Sequence, residues 1–122
     1  MKEVNTDEYG YGSLIDTFEV EVLAEAHDND YQGDSFYLLK NGDQYGVLIF
    51  GWGSCGGCDA YEAAEGNVRE LTELRDGLWN SVVWDTREGT LKNIVTKDDK
   101  LTWYGNDRTY KTFKTSAIET LS

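Results

Sequence analysis

The chain has 122 residues, 39% of them hydrophobic, with sixteen aromatic rings and a formal net charge of −12 at pH 7. That length fits one domain, residues 1–122, with a modest core, and so many rings are incompatible with a disordered acidic tail. No apolar run approaches the roughly 20 residues of a membrane span, and Met1-Lys2-Glu3-Val4-Asn5 lacks a signal peptide's apolar core, so the expected setting is the cytosol with reduced cysteines. The excess charge is segregated. Residues 1–66 carry fourteen Asp/Glu against Lys2 and Lys40, whereas residues 67–122 hold nine acids and nine bases. Such a division builds a directional negative field, which selects cationic partners and repels nucleic acid and anionic membranes. Lys97, Lys100, Arg108, Lys111 and Lys114 in the neutral half read as a solvated helix face.

In chain order, residues 1–13 show no regular period and read as an irregular arm ordered by tyrosine packing. Phe18-Glu19-Val20-Glu21-Val22 alternates apolar and charged, the period of a half-buried strand, extending to about Ala26. The polar stretch 28–34 breaks it. Strands over 35–40 and 44–50 follow, joined by Asn41-Gly42-Asp43 as a tight hairpin, which completes a three-stranded antiparallel meander. A glycine-rich crossing, 51–57, leads into helical periods: a short helix over 59–64 and a longer one capped by Asn67, with Val68, Leu71, Leu74, Leu78 and Val82 at three- and four-residue spacing. A short strand at 82–84, a helix over 86–96, a strand at 101–104 and a last helix from Asp107 complete the reading. That last helix turns Tyr110, Phe113, Ala117, Ile118 and Leu121 inward. Strands first and helices later predict an α+β fold, the meander packed against the C-terminal helices.

Two motifs carry potential chemistry. Gly51-Trp52-Gly53-Ser54-Cys55-Gly56-Gly57-Cys58-Asp59 holds a C-x-x-C pair, but zinc wants four N/S ligands and only His27 is available to join Cys55 and Cys58. A redox role wants a βαβ context that antiparallel strands do not supply. The expectation is therefore no cofactor, with small thiols and Trp52 packed under a glycine turn, and a thiol or metal module of Cys55, Cys58 and His27 as the alternative. Asp28-x-Asp30-x-Gln32-Gly33-Asp34 matches the first half of a calcium loop, yet position twelve is Leu39 rather than glutamate, so a turn with side chains bonding local amides is expected. His27 has no nucleophile assignable from sequence, and Gly51-x-Gly53-x-x-Gly56 lacks the surroundings of a nucleotide loop. No enzyme is expected.

What remains is the acidic surface. On a regular strand Glu19 and Glu21 project from one face about 6.6 Å apart, with Glu25 further along if no bulge intervenes. With Asp28, Asp30, Asp34 and Asp43 on adjoining turns, this row suits a basic groove made for nucleic acid. The stretch Asp30-Tyr31-Gln32-Gly33-Asp34-Ser35, the hairpin, and Phe50-Gly51-Trp52-Gly53-Ser54-Cys55-Gly56-Gly57-Cys58-Asp59-Ala60 resemble small uncharacterised proteins of bacteriophages and other bacterial mobile elements, over about residues 9–85. The resemblance implies a phage or mobile-element protein in a bacterial cytosol and transfers no catalytic residue. In size and acidity the chain is also similar to anti-CRISPR and anti-restriction inhibitors.

Overall fold

The computed structural model describes residues 1–29, 31–53, 59–96 and 107–122. Asp30, Cys55, Cys58 and the strand expected at 101–104 lie outside the described residues. Among the described residues four antiparallel strands, β1 (Glu21–His27), β2 (Gly33–Asn41), β3 (Gln44–Trp52) and β4 (Val83–Asp85), form one sheet in the order β1-β2-β3-β4. Helices α1 (Tyr11–Asp16), α2 (Ala60–Ala63), α3 (Val68–Ser81), α4 (Arg87–Thr96) and α5 (Asp107–Leu121) surround it. The expected α+β arrangement and its N-terminal meander are present, and β4, which returns after α2 and α3, extends the sheet to four strands among the described residues. None of the described helices is long and apolar enough to cross a membrane.

Central β2 is buried at every position from Gly33 to Leu39, as a strand covered on both faces must be. Odd-numbered β2 positions, Tyr37 and Leu39, join Leu48 and Phe50 of β3 in a core with Leu14, Ile15, Phe18, Tyr61, Leu71 and Leu78. Even-numbered positions, Phe36 and Leu38, join Ala24, Val47 and Ile94 with Tyr110, Phe113, Ala117 and Leu121 of α5. Helices therefore cover both faces, α1 to α3 on one and α4 with α5 on the other, rather than the C-terminal helices alone.

The turn between β2 and β3 holds Gly42 at φ 62° in its first central position, and Asn41 pairs with Gln44; positive φ there is what a tight two-residue hairpin requires. At Gly46, opposite Trp84, a Cβ would lie 2.5 Å from Val82 Cγ1 and 2.7 Å from Trp84 Cε3, so only glycine lets β4 close on β3. Asn67 Oδ1 accepts from the Glu70 amide at 3.0 Å, the expected cap. Two features depart from the sequence reading. The strand expected from Phe18 begins only at Glu21, because α1 ends in a turn and Glu19 takes φ 59°. Residues 1–13 are also not irregular throughout, because α1 begins at Tyr11, and the segment before it is anchored: Val4 is buried, and the Lys2 amide donates to the Thr17 carbonyl at 2.8 Å.

Candidate functional site

The strand acids do not make one row. Glu19 lies before β1 and pairs with the N-terminal ammonium at 3.3 Å. Within β1 the register against β2 shifts between Val22 and Ala24, a bulge at Leu23 that turns Glu21 and Glu25 to opposite faces. Glu19, Glu21, Glu25 and Asp43 are exposed, but Asp28 and Asp34, expected beside them, are 6% and 0% exposed and cannot meet a partner in this conformation. The reason is local pairing: the Asp28 amide donates to the Asp34 carbonyl at 3.0 Å and Asp28 Oδ2 accepts from the Asp34 amide at 2.8 Å. This is the backbone-bonding turn expected of residues 28–34. Among the described residues no cluster of three or more His, Cys, Asp or Glu is arranged to hold a metal ion.

Strand pairing brings the two sequence motifs together, since Gly33 faces Trp52 and Asp34 faces Gly51. At this end of the sheet Trp52 Nε1 donates to Ser35 Oγ at 2.9 Å, Ser35 Oγ meets His27 Nδ1 at 2.8 Å, and His27 Nε2 meets Glu25 Oε1 at 2.9 Å. The order carboxylate, imidazole, hydroxyl is that of a nucleophile relay. Ser35, however, is only 4% exposed, and its oxygen already accepts from the indole. The chain of bonds thus fixes Trp52 in place. Sequence reasoning left His27 without a hydroxyl partner because Ser35 reaches it only through the β1–β2 register.

Trp52 borders the second assembly at this end. Asp59, 6% exposed, caps α2: its Oδ1 accepts from the Tyr61 amide at 2.7 Å and the Glu62 amide at 3.2 Å, and also from the Tyr11 hydroxyl at 2.8 Å. Its Oδ2 accepts from the Gly53 amide at 2.7 Å. One carboxylate therefore joins α1, the end of β3 and α2. Around it the Tyr9 and Tyr61 rings meet edge to face at 5.2 Å, and Tyr11 lies 5.4 Å from Tyr61. The rings, with Trp52, Asp59 and Glu62, line a hollow of about 150 Å³. Beside it an open groove of about 590 Å³ runs between the N-terminal segment and α1, lined by Glu3, Glu8 and Asp16 with Lys2 as its one cation among the described residues.

The charge division of the sequence thus becomes a division between layers. Residues 1–20 and 59–81, on one side of the sheet, hold eleven acids and three bases, whereas α4 and α5 hold three acids and five bases. Glu3 and Glu8 were not singled out in the sequence because residues 1–13 carry no periodicity that would assign them a face, and Asp16 because the helix that holds it, Tyr11–Asp16, has no periodic signature before the alternation at Phe18. Comparison with family models, curated proteins and solved structures finds no match to this chain.

Proposed function

We propose that this chain is a non-enzymatic binding protein of a phage or mobile element, an inhibitor that occludes a basic, nucleic-acid-binding surface of a host defence protein in the bacterial cytosol. The observation that carries the reading is the concentration of exposed carboxylates on one layer, which includes the groove of Glu3, Glu8 and Asp16. A field of one sign over one face steers an oppositely charged partner and fixes its orientation, and it weakens as salt screens it. The bulge at Leu23 removes a regular phosphate-like row along β1, so the imitation of nucleic acid rests on the groove and its field rather than on strand spacing.

The test is capture from a bacterial lysate at low salt, followed by elution with salt or with duplex DNA. The expected result is a nucleic-acid-binding protein released by both. Reversing charge at Glu3 and Asp16 to Lys should abolish capture with the fold intact, and the same change at Glu88 and Glu119, on the opposite layer, should leave most of it. Capture that ignores salt, DNA and both pairs of reversals would overturn the reading.

A further inference from the structure

We infer that the hollow walled by Tyr9, Tyr11, Trp52 and Tyr61 receives an arginine side chain of the partner. The inference deepens the proposed function and rests on it for the partner's basic character. The chemistry of the hollow is its own argument. Aromatic faces attract cations through the ring quadrupole, and here four rings converge with two carboxylates, Asp59 and Glu62, while no Lys, Arg or His among the described residues lines the space. The donors to Asp59 among the described residues are the amides of Gly53, Tyr61 and Glu62 and the Tyr11 hydroxyl, all neutral. A largely buried negative charge whose donors among the described residues are all neutral leaves its neighbourhood favourable to a cation.

Size and position narrow the occupant. About 150 Å³ suits the head of one side chain rather than a nucleotide or a peptide segment. The hollow also adjoins the acidic groove: Glu8 lines the groove and Tyr9, the next residue, lines the hollow. A basic partner drawn along the carboxylates is thereby delivered to the rings. Guanidinium fits better than ammonium, because its plane stacks on tyrosine or indole while its edge donates to Glu62. Trp52 is held by Ser35 and Tyr61 by its place in the core, so two walls are set before binding. Tyr9, 78% exposed, is the wall that a bound side chain would cover.

The test uses pentapeptides Gly-Gly-Xaa-Gly-Gly in which Xaa is arginine, citrulline or trimethyllysine, titrated into the intact protein by NMR. Arginine should shift the Trp52 indole and Tyr9 ring signals, and citrulline, nearly isosteric but uncharged, should not. Tyr9→Ala and Glu62→Gln should each weaken the arginine peptide by roughly 2- to 30-fold, the range of cation–π contacts from exposed to desolvated, and Tyr9→Phe should keep it. Equal responses to arginine and citrulline, or no loss in Tyr9→Ala, would overturn the inference; trimethyllysine binding above arginine would overturn the choice of occupant. The two readings fail separately. Lost arginine binding alongside salt-sensitive capture removes the hollow alone, and intact arginine binding without DNA-competed capture removes the inhibitor role alone.

Discussion

The Tyr37 phenol sits where its surroundings disfavour the ionised form. It is 4% exposed, and burial, reinforced by the charges of Glu25 and Asp16, pushes its pKa up to about 12. An unfolded tyrosine loses its proton near pH 10, so between these values the native state holds a proton that the unfolded chain has released. The contribution is fully present below pH 10 and lost as pH rises through about 12. It amounts to about 2–3 kcal/mol when complete. Denaturant titrations at pH 9 and 11.5 should show a steeper alkaline loss for the wild type than for Tyr37→Phe. Parallel losses would mean that the phenol is not the group responsible. At this same scale Asp59 shows how one carboxylate serves two ends: it caps a helix of four residues, too short to hold itself, and it fixes Tyr11 beside the aromatic hollow.

Between elements, the join that carries most is Arg75, in the middle of α3 and only 8% exposed. Its Nη1 donates to the Lys2 carbonyl at 2.7 Å and to Thr17 Oγ1 at 2.9 Å, and its Nε pairs with Asp76 at 2.7 Å. The guanidinium therefore pins both the N-terminal segment and the end of α1 onto α3. Arg75→Leu should cost about 2–3 kcal/mol, since it leaves buried oxygens without a donor, and Arg75→Lys should recover less than half because one ammonium cannot reproduce the fork. Urea melts of the two variants would decide this; a loss below 1 kcal/mol in Arg75→Leu would show that water replaces the bonds.

This contact also marks the limit of what could be read beforehand. The apolar stripe of α3 was legible from Leu71, Leu74 and Leu78, and so were the meander, the hairpin and the inner face of α5, because period and turn chemistry are local. Val68, on the same spacing, is instead 53% exposed. Arg75, lying between core leucines, gave no sign that it would bond a carbonyl 73 positions away. The strand start at Phe18 was misread for a related reason. Two apolar residues flanking Glu19 imitate a strand, yet both pack in the same core beneath a turn. For the site, the carboxylate excess was visible in composition, but the burial of Asp28 and Asp34 and the meeting of Ser35 with His27 depend on register.

For the molecule as a whole, a charge of −12 on 122 residues opposes compaction. Raising NaCl from about 10 mM to 150 mM shortens the screening length from roughly 30 Å to 8 Å. The melting temperature should therefore rise by about 2–5 °C. An unchanged value would mean that the acids are spaced widely enough not to repel. The groove of Glu3, Glu8 and Asp16 gathers three of these acids, so a bound cationic partner should raise stability at low salt more than at high salt.

The bulge in β1 has a consequence for how the protein keeps to itself. Among the described residues β1 is an outer strand of the sheet, with β2 on one side and no strand on the other, and an open strand edge is a template on which a second molecule's strand can zip. The extra residue at Leu23 breaks the even spacing such zipping needs, and Glu21 and Glu25, thrown to opposite faces, confront an incoming identical strand with like charge from above and below. The irregularity that denies the strand a tidy row of carboxylates is thus also of the kind by which outer strands resist fibrous self-assembly.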